Sequence, residues 1–413
     1  METASTTVET GCCIAGGGPA GMMLGFLLAR AGVQVVVLEK HQDFLRDFRG
    51  DTIHPSTLEL MCELGLLEEF LKRPHQELIE LAGQVGADVV KIADFTHLAT
   101  HCKFLALMPQ WDFLNFLVEQ GRSYPQFQIK MKAEVTGLIE ENGRITGVRA
   151  DTPEGMVEIR AKLTVGADGR HSTVRERAGL QVMDLGAPMD VFWMRFSRGP
   201  GDPTLSLGHV EPGRMFVMID REEYWQCAFL IPKGAADEIR KRGIETFRQD
   251  IANLEPSFCD RVEELRDWND VSLLTVKVDR LVRWWRSGLL CIGDAAHAMS
   301  PVGGVGINLA IQDAVAAANI LAENLAAGSL HDHDLQAVQR RREFPTRATQ
   351  KLQILIQNAV IKRVLSSSRA LAVPWPLKLM QHWTFLRRIP ARVIGIGFRP
   401  EHIRTPEESR HRP

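Results

Sequence analysis

A buried strand, a glycine-rich turn and a helix over residues 12–30, a second strand closed by Glu39, and a change to bulky alternating strands between 187 and 270 predict an α/β fold. A Rossmann-like nucleotide-binding domain carries an inserted β-sheet domain, and helices follow at the C-terminus. The 413 residues, 45% hydrophobic and 24% charged, suffice for two or three domains with their own cores.

The first element is the run Cys12-Cys13-Ile14-Ala15-Gly16-Gly17-Gly18-Pro19-Ala20-Gly21, read as strand, turn and a helix starting near Met22. Gly16, Gly18 and Gly21 have the G-x-G-x-x-G spacing. The first permits the tight turn, the second lets a pyrophosphate approach the backbone, and the third lets helix and strand pack closely. The helix N-terminus offers free N–H groups to phosphate. The second strand, Val33 to Leu38, ends in Glu39, about 20 residues past the glycines, where a carboxylate accepts hydrogen bonds from an adenosine ribose. The unit announces a dinucleotide without saying which.

A polar loop, Arg49–Pro55, leads to Ser56 as the expected N-cap of a helix over Thr57–Leu64. Another helix begins around Gln110-Trp111-Asp112. From Ala133 to Val165 the chain alternates strand and turn, with Asn142-Gly143 and Pro153-Glu154-Gly155 as turn signals. Along Val191–Ser197, Val191, Trp193 and Arg195 fall on one face and Phe192, Met194 and Phe196 on the other. Met215–Ile219 and Tyr224–Ile231 read as a hairpin. These bulky side chains suit an apolar ligand cavity and a plain core equally. A short strand, Leu289–Ile292, meets Gly293-Asp294, a Gly- and Pro-rich loop, and an Ala-rich helix over Ile307–Ala327. The rest reads as helical and apolar to about Ile396, with a polar, frayed tail after Arg399.

A formal net charge of −2 gives no global field for nucleic acid. Seven scattered cysteines show neither disulfide nor metal spacing, which suits a reducing compartment. METASTTVET lacks the basic start and apolar core of a signal peptide, and no apolar run reaches the roughly 18 residues of a membrane span. The expectation is a soluble, cytoplasmic protein. His331-Asp332-His333-Asp334 reads as a solvated loop rather than a metal site, and Trp284-Trp285 as packing under the last strand of the sheet.

Three motifs occur in order: Gly16–Gly21 with Glu39, then Gly166-Ala167-Asp168-Gly169-Arg170 through Arg175, then Gly293-Asp294-Ala295-Ala296-His297 through Pro301-Val302-Gly303-Gly304-Val305-Gly306-Ile307-Asn308. Together they resemble the class A FAD-dependent monooxygenases, the p-hydroxybenzoate hydroxylase-like aromatic hydroxylases, from about residue 10 to 345. The resemblance implies an oxidoreductase with a Rossmann-like FAD-binding domain in three parts, 10–75, 105–186 and 271–345. The substrate domain would comprise a segment at 76–104 and a β-sheet at 187–270, with C-terminal helices and tail at 346–413. It implies that NAD(P)H reduces FAD and that a flavin C4a-hydroperoxide passes one oxygen of O2 to an aromatic or polycyclic small molecule. NAD(P)H would bind only transiently, consistent with the absence of a second G-x-G-x-x-G.

On this resemblance, Gly16, Gly18, Ala20, Gly21 and Glu39 hold the AMP half of FAD. Arg49 contacts its pyrophosphate or ribityl region, Gln110 the ribityl chain and Val135 the adenine. Asp168 supports the pyrophosphate and Asp294 the ribitol, while Pro301, Gly304, Gly306, Ile307 and Asn308 surround the flavin ring. The helix starting at Ile307 would direct its positive end at the flavin pyrimidine edge. Arg170 and Arg175 meet phosphates or are solvated surface charges. The catalytic candidates are Tyr224, on a substrate-domain strand, and His54, a base or a ring packed before Pro55; His297 supports its loop. An isoprenoid-type reductase and a non-catalytic FAD-binding protein fit the same cofactor motifs, whereas a halogenase would carry a W-x-W-x-I-P signature that Trp284-Trp285 does not provide. The C-terminal apolar stretches, interspersed with Arg363, Arg387, Arg388, Arg392 and Arg399, form a cap over the substrate cavity, a core element with snorkelling arginines, or a weak membrane contact. Monomer and homodimer both remain open.

Overall fold

The computed structural model describes residues 6–45, 52–86, 88–199, 202, 208–367 and 373–408. Its nucleotide-binding part is built on an eight-stranded sheet. Strand Thr6–Ala15 lies between two parallel neighbours, Val35–Glu39 and Gly155–Gly166. Phe127–Met131 extends the sheet beyond Val35–Glu39, and Leu289–Cys291 extends it beyond Gly155–Gly166. The Val-Val-Val-Leu-Glu strand is buried at every position, as expected of a parallel strand covered on both faces. The meander Glu134–Glu141, Arg144–Thr152 and Gly155–Gly166 is antiparallel. Its last strand then turns parallel partner to Thr6–Ala15, with Ala15 opposite Gly166. That register brings the first two glycine motifs side by side.

Helix Pro19–Arg30 packs against helix Gly306–Ala326. The second helix carries small buried side chains, among them Ala310, Ala314, Ala317 and Ala318. By length and composition this helix passes for a membrane span, yet 78% of that apolar stretch is buried inside the protein.

The second sheet has seven strands in the order Ser272–Leu274, Met189–Ser197, Tyr224–Pro232, Arg214–Asp220, Gly208–Glu211, Glu80–Val85, Asp88–Asp94. Its two faces follow the alternation. Phe192, Met194, Phe196, Trp225, Cys227 and Phe229 cluster with Phe247 and Ile251 of helix Ile244–Leu254. On the opposite face Met189, Val191, Ala228 and Leu230 cluster with Val276 and Ile361, flanked by Trp193, Val217, Val302 and Leu365. Val302 belongs to the third glycine motif, so this face adjoins the nucleotide-binding part.

Several local expectations are corrected. The first helix begins at Pro19, not Met22, with Gly18 as N-cap; proline at N1 has a preset φ and no N–H to satisfy. For the same reason the next helix begins at Pro55, and His54 rather than Ser56 is its N-cap. The second strand starts at Val35, after a turn in which Gly32 has φ +82°. His331-Asp332-His333-Asp334 is not a loop. It opens helix Asp332–Ile356, where the His331 N–H donates to the Asp334 carboxylate at 2.9 Å. Trp284 and Trp285 are buried, and Trp285 pairs with Leu290 at the sheet edge.

The largest correction is the tail. Residues 400–408 are docked. Arg30 donates to the carbonyls of Thr405 and Pro406, at 3.0 and 3.3 Å, and pairs with Glu407. Glu408 N–H returns a bond to the Arg30 carbonyl (2.9 Å) and Tyr124 Oη donates to Glu407 (2.9 Å). Asn319 bonds the backbone of both His402 and Arg404. Polar side chains of the helices thus satisfy an extended backbone that has no sheet partner.

Candidate functional site

The turn after the first strand is held by close backbone contacts. Gly16 has φ +105°, and a Cβ there would lie 2.3 Å from the Ala167 carbonyl oxygen. A Cβ on Gly21 would lie 2.0 Å from the carbonyl oxygen of Gly16. Gly18 is different: no atom lies within 4 Å of where its Cβ would be. Gly16 and Gly21 therefore close the fold, while Gly18 leaves room at the helix N-terminus. Ala20 is buried beside Gly293, whose Cβ would meet its methyl at 3.1 Å.

Glu39 is buried, and its carboxylate serves the turn itself. Oε2 accepts from Gly17 N–H and Oε1 from His41 N–H, each at 3.0 Å. The Glu39 and His41 carbonyls accept from Ala133 and Lys132, which draws the strand bearing buried Val135 to this end of the sheet. Gln110 opens helix Gln110–Gly121 directly after Pro109. Arg49 lies outside the described residues.

The second motif is stitched to the first by Ala167 N–H donating to the Ala15 carbonyl (2.8 Å). Asp168 Oδ2 accepts from Val174 N–H at 3.1 Å, while Oδ1 is buried without a partner among the described residues. Burial pushes this carboxyl above its ordinary range, partly offset by bonds from Ser172 and Val174. Arg170 reaches the third motif, with Nη2 3.4 Å from Asp294 Oδ2. Arg175 is neither a surface charge nor open to phosphate. It is buried on Asp279 (3.3 and 3.4 Å) and also donates to the Ala295 carbonyl.

In the third motif Gly293, Gly303 and Gly304 all have positive φ. A Cβ on Gly304 would lie 2.4 Å from Thr52 Oγ1, which donates to the Gly304 carbonyl at 3.1 Å. Pro301 precedes this turn, and Gly306-Ile307-Asn308 form the first turn of the long helix. Asn308 acts as a clasp. Its Oδ1 accepts from His54 N–H (2.9 Å) and Thr57 Oγ1 (2.8 Å), and its Nδ2 donates to the Thr52 carbonyl (3.0 Å). Its side chain therefore holds the loop.

His297 supports this loop as expected, through a network whose other members, Asp313, Arg342 and Glu401, no sequence motif marked. His297 Nε2 and Asp313 Oδ2 are 2.5 Å apart, Arg342 Nε donates to Asp313 Oδ1 at 2.9 Å, and Arg342 also meets Glu401 of the tail. Asp313 and Arg342 are fully buried. Burial pushes the Asp313 carboxyl up, but His297 and Arg342 outweigh it and hold the group below the ordinary range. Asp313 Oδ2 also accepts from Gly293 N–H at 3.1 Å, so the network sets the turn that carries Asp294.

The two catalytic candidates end up in different places. Tyr224 is on the Val302-facing side of the sheet but at its far end, with the Arg195 guanidinium 4.6 Å above its ring. Leu230 lies six positions further along, about 20 Å of strand. His54 is buried beside the Asn308 clasp. Its Nδ1 donates to the Ile394 carbonyl at 2.7 Å, which leaves Nε2 as an unprotonated acceptor without a partner among the described residues. Burial lowers its pKa to about 4, making it a weak base at neutral pH.

These features suit an FAD dinucleotide. Room at Gly18, an Asp168 Oδ1 that finds no donor among the described residues, and the positive-φ glycine turn before the long helix lie along one end of the sheet, where α/β sheets bind nucleotides. The burial of Cys12 and Cys13 removes thiol chemistry from the adjoining strand; burial takes the Cys13 thiol to about 12.

Comparison with known proteins agrees. The FAD binding domain family matches residues 9–351. The 6-methylpretetramide 4-monooxygenase of Streptomyces rimosus is 32% identical over 385 residues, 92% of either chain. Para-nitrophenol 4-monooxygenase of Pseudomonas sp. (strain WBC-3) is 25% identical over 344 residues, covering 81% of this chain and 83% of the relative. Among solved structures, the anhydrotetracycline hydroxylase OxyS of Streptomyces rimosus superposes with a TM-score of 0.75 at 22% identity. That match covers 94% of this chain and 76% of the other.

Proposed function

Because the chain belongs to the FAD-binding-domain family of class A FAD-dependent monooxygenases, we propose that it uses NAD(P)H and O2 to hydroxylate an aromatic or polycyclic small molecule. In balance, substrate C–H, O2, NAD(P)H and a proton give the hydroxylated product, NAD(P)+ and water. The names of the Streptomyces and Pseudomonas relatives support the substrate class.

One observation carries this reading. Val302, in the third glycine motif, packs against the sheet face formed by Met189, Val191, Ala228 and Leu230. An apolar surface thus adjoins the loop at the reactive end of the cofactor site, where a flat, apolar substrate is held and water excluded.

FAD, when bound, supplies the redox chemistry between NAD(P)H and O2. In the proposed site the Gly18 turn and the helix N-terminus receive the pyrophosphate, and Asp168 Oδ1 would accept from a cofactor hydroxyl, since the phosphates carry no donor. Glu39 holds the adenosine ribose, with Val135 beside the adenine. Gln110 and Asp294 hold the ribityl chain. The Pro301–Asn308 segment faces the ring, and its backbone N–H groups favour negative charge there. His54 and Asn308 keep that segment in place.

The test begins with reconstitution. Purified protein takes up FAD and turns yellow, and an aromatic substrate accelerates NAD(P)H-dependent bleaching with O2 consumption. Protein that takes up no FAD ends the proposal; turnover without O2 consumption replaces it with a reductase.

A further inference from the structure

The C-terminal region contains a surface the proposed chemistry does not use. Residues 344–400 include ten lysines and arginines and no aspartate or glutamate, in a chain whose formal net charge is −2. Within this stretch, helix Trp375–His382, a 3-10 turn Thr384–Arg387 and helix Arg388–Gly395 pack on strand Asp88–Asp94. Gln381 bridges the Lys91 backbone, donating to its carbonyl at 2.8 Å and accepting from its N–H at 3.4 Å. Arg387 donates to the Met380 carbonyl (3.0 Å) and joins the two helices.

Ala391 and Gly395 face inward. Outward, five large apolar side chains are exposed: Trp375 (76%), Leu379, Trp383 (50%), Phe385 and Ile389 (63%). Trp383 and Phe385 stack, with ring centroids 6.3 Å apart. Lys378, Arg388 and Arg392 are exposed among them. Two acids lie by this surface: Glu80 pairs with Lys91, and Asp94 pairs with His97 and also interacts with Arg388, whose Nη2 is 3.3 Å from His97 Nε2, which leaves Lys378 and Arg392 as the less engaged cations. Soluble surfaces do not ordinarily gather large apolar side chains this way. Tryptophans and phenylalanine interleaved with cations match an anionic bilayer interface, where rings enter the headgroup region and cations meet lipid phosphates.

We propose that Trp375–Arg392 docks the enzyme onto anionic lipid membranes. Trp375, Leu379, Trp383, Phe385 and Ile389 enter the interface, while Lys378, Arg388 and Arg392 pair with headgroups. Such docking would give the enzyme access to lipophilic substrate, but the surface itself does not depend on the FAD reading.

The experiment is co-sedimentation of the FAD-loaded full chain with large vesicles of phosphatidylcholine alone or with 30 mol% phosphatidylglycerol, at low and at about 0.5 M salt. The proposal expects binding to the anionic vesicles, at least tenfold weaker on neutral ones and weakened by salt. Two surface variants, Trp375→Ser with Trp383→Ser, and Lys378→Glu with Arg392→Glu, should each lower anionic-vesicle partition at least tenfold. Unchanged melting temperature and flavin content show that each remains folded. Equal binding to neutral and anionic vesicles, no binding, or binding unaffected by both variants overturns the proposal. A concentration-dependent dimer abolished by the tryptophan variant, without vesicle binding, overturns it in favour of a second copy of the chain.

Discussion

At the scale of residues, the glycines of the first motif do separate jobs, and substitution distinguishes them. A methyl group at Gly21 collides with the Gly16 carbonyl at 2.0 Å, so Gly21→Ala is expected to cost more than about 2 kcal/mol in urea unfolding of the apoprotein. Gly18→Ala meets no atom, and its φ of −75° suits alanine. That variant should keep apoprotein stability within about 0.5 kcal/mol and bind FAD at least tenfold more weakly by fluorescence titration. His54 gives a pH signature. Its folded pKa of about 4 lies below the ordinary 6.5, so the unfolded chain takes up its proton first. The neutral ring's stabilisation is intact above pH 6.5 and fades as pH falls from 6.5 to 4, by up to about 3 kcal/mol. His54→Gln should flatten that part of the stability profile.

At the scale of elements, the buried network joins three distant pieces: the loop at His297, the helix at Asp313, and the tail through Arg342 and Glu401. Removing one partner leaves a charge buried without compensation. Asp313→Asn should therefore destabilise by about 3–5 kcal/mol, while Arg342→Met with Asp313→Asn should cost less than the sum of the two, as a double-mutant cycle would read. Deleting residues 400–413 removes Glu401 and the Arg30 contacts, and should lower the melting temperature by several degrees. A frayed tail would leave it unchanged. The glycine turns were legible because a positive φ or a close backbone approach demands one residue type. The tail was not, because its order comes from residues far off in the chain: Arg30 and Glu63, 375 and 340 residues from their partners, and Asn319, 83 residues from His402. Arg175 likewise looked like any motif arginine until folding buried it against Asp279.

At the scale of the whole molecule, two sheets divide the work, one holding the nucleotide and the other presenting an apolar face to the loop at Val302. Three motifs in order and the alternation along Val191–Ser197 carried that much, since each strand's two faces map onto two clusters. The substrate chemistry was less legible: the chain has only two tyrosines, and Tyr224 lies at the far end of its strand. The most direct test follows the fate of molecular oxygen. FAD-loaded enzyme is supplied with NADH or NADPH, 18O2 and a panel of phenols and polycyclic aromatics, and products are read by mass spectrometry. The account predicts one 18O atom incorporated per molecule of an accepted substrate, with one NAD(P)H oxidised for each. An accepted substrate that is transformed without gaining 18O would contradict it.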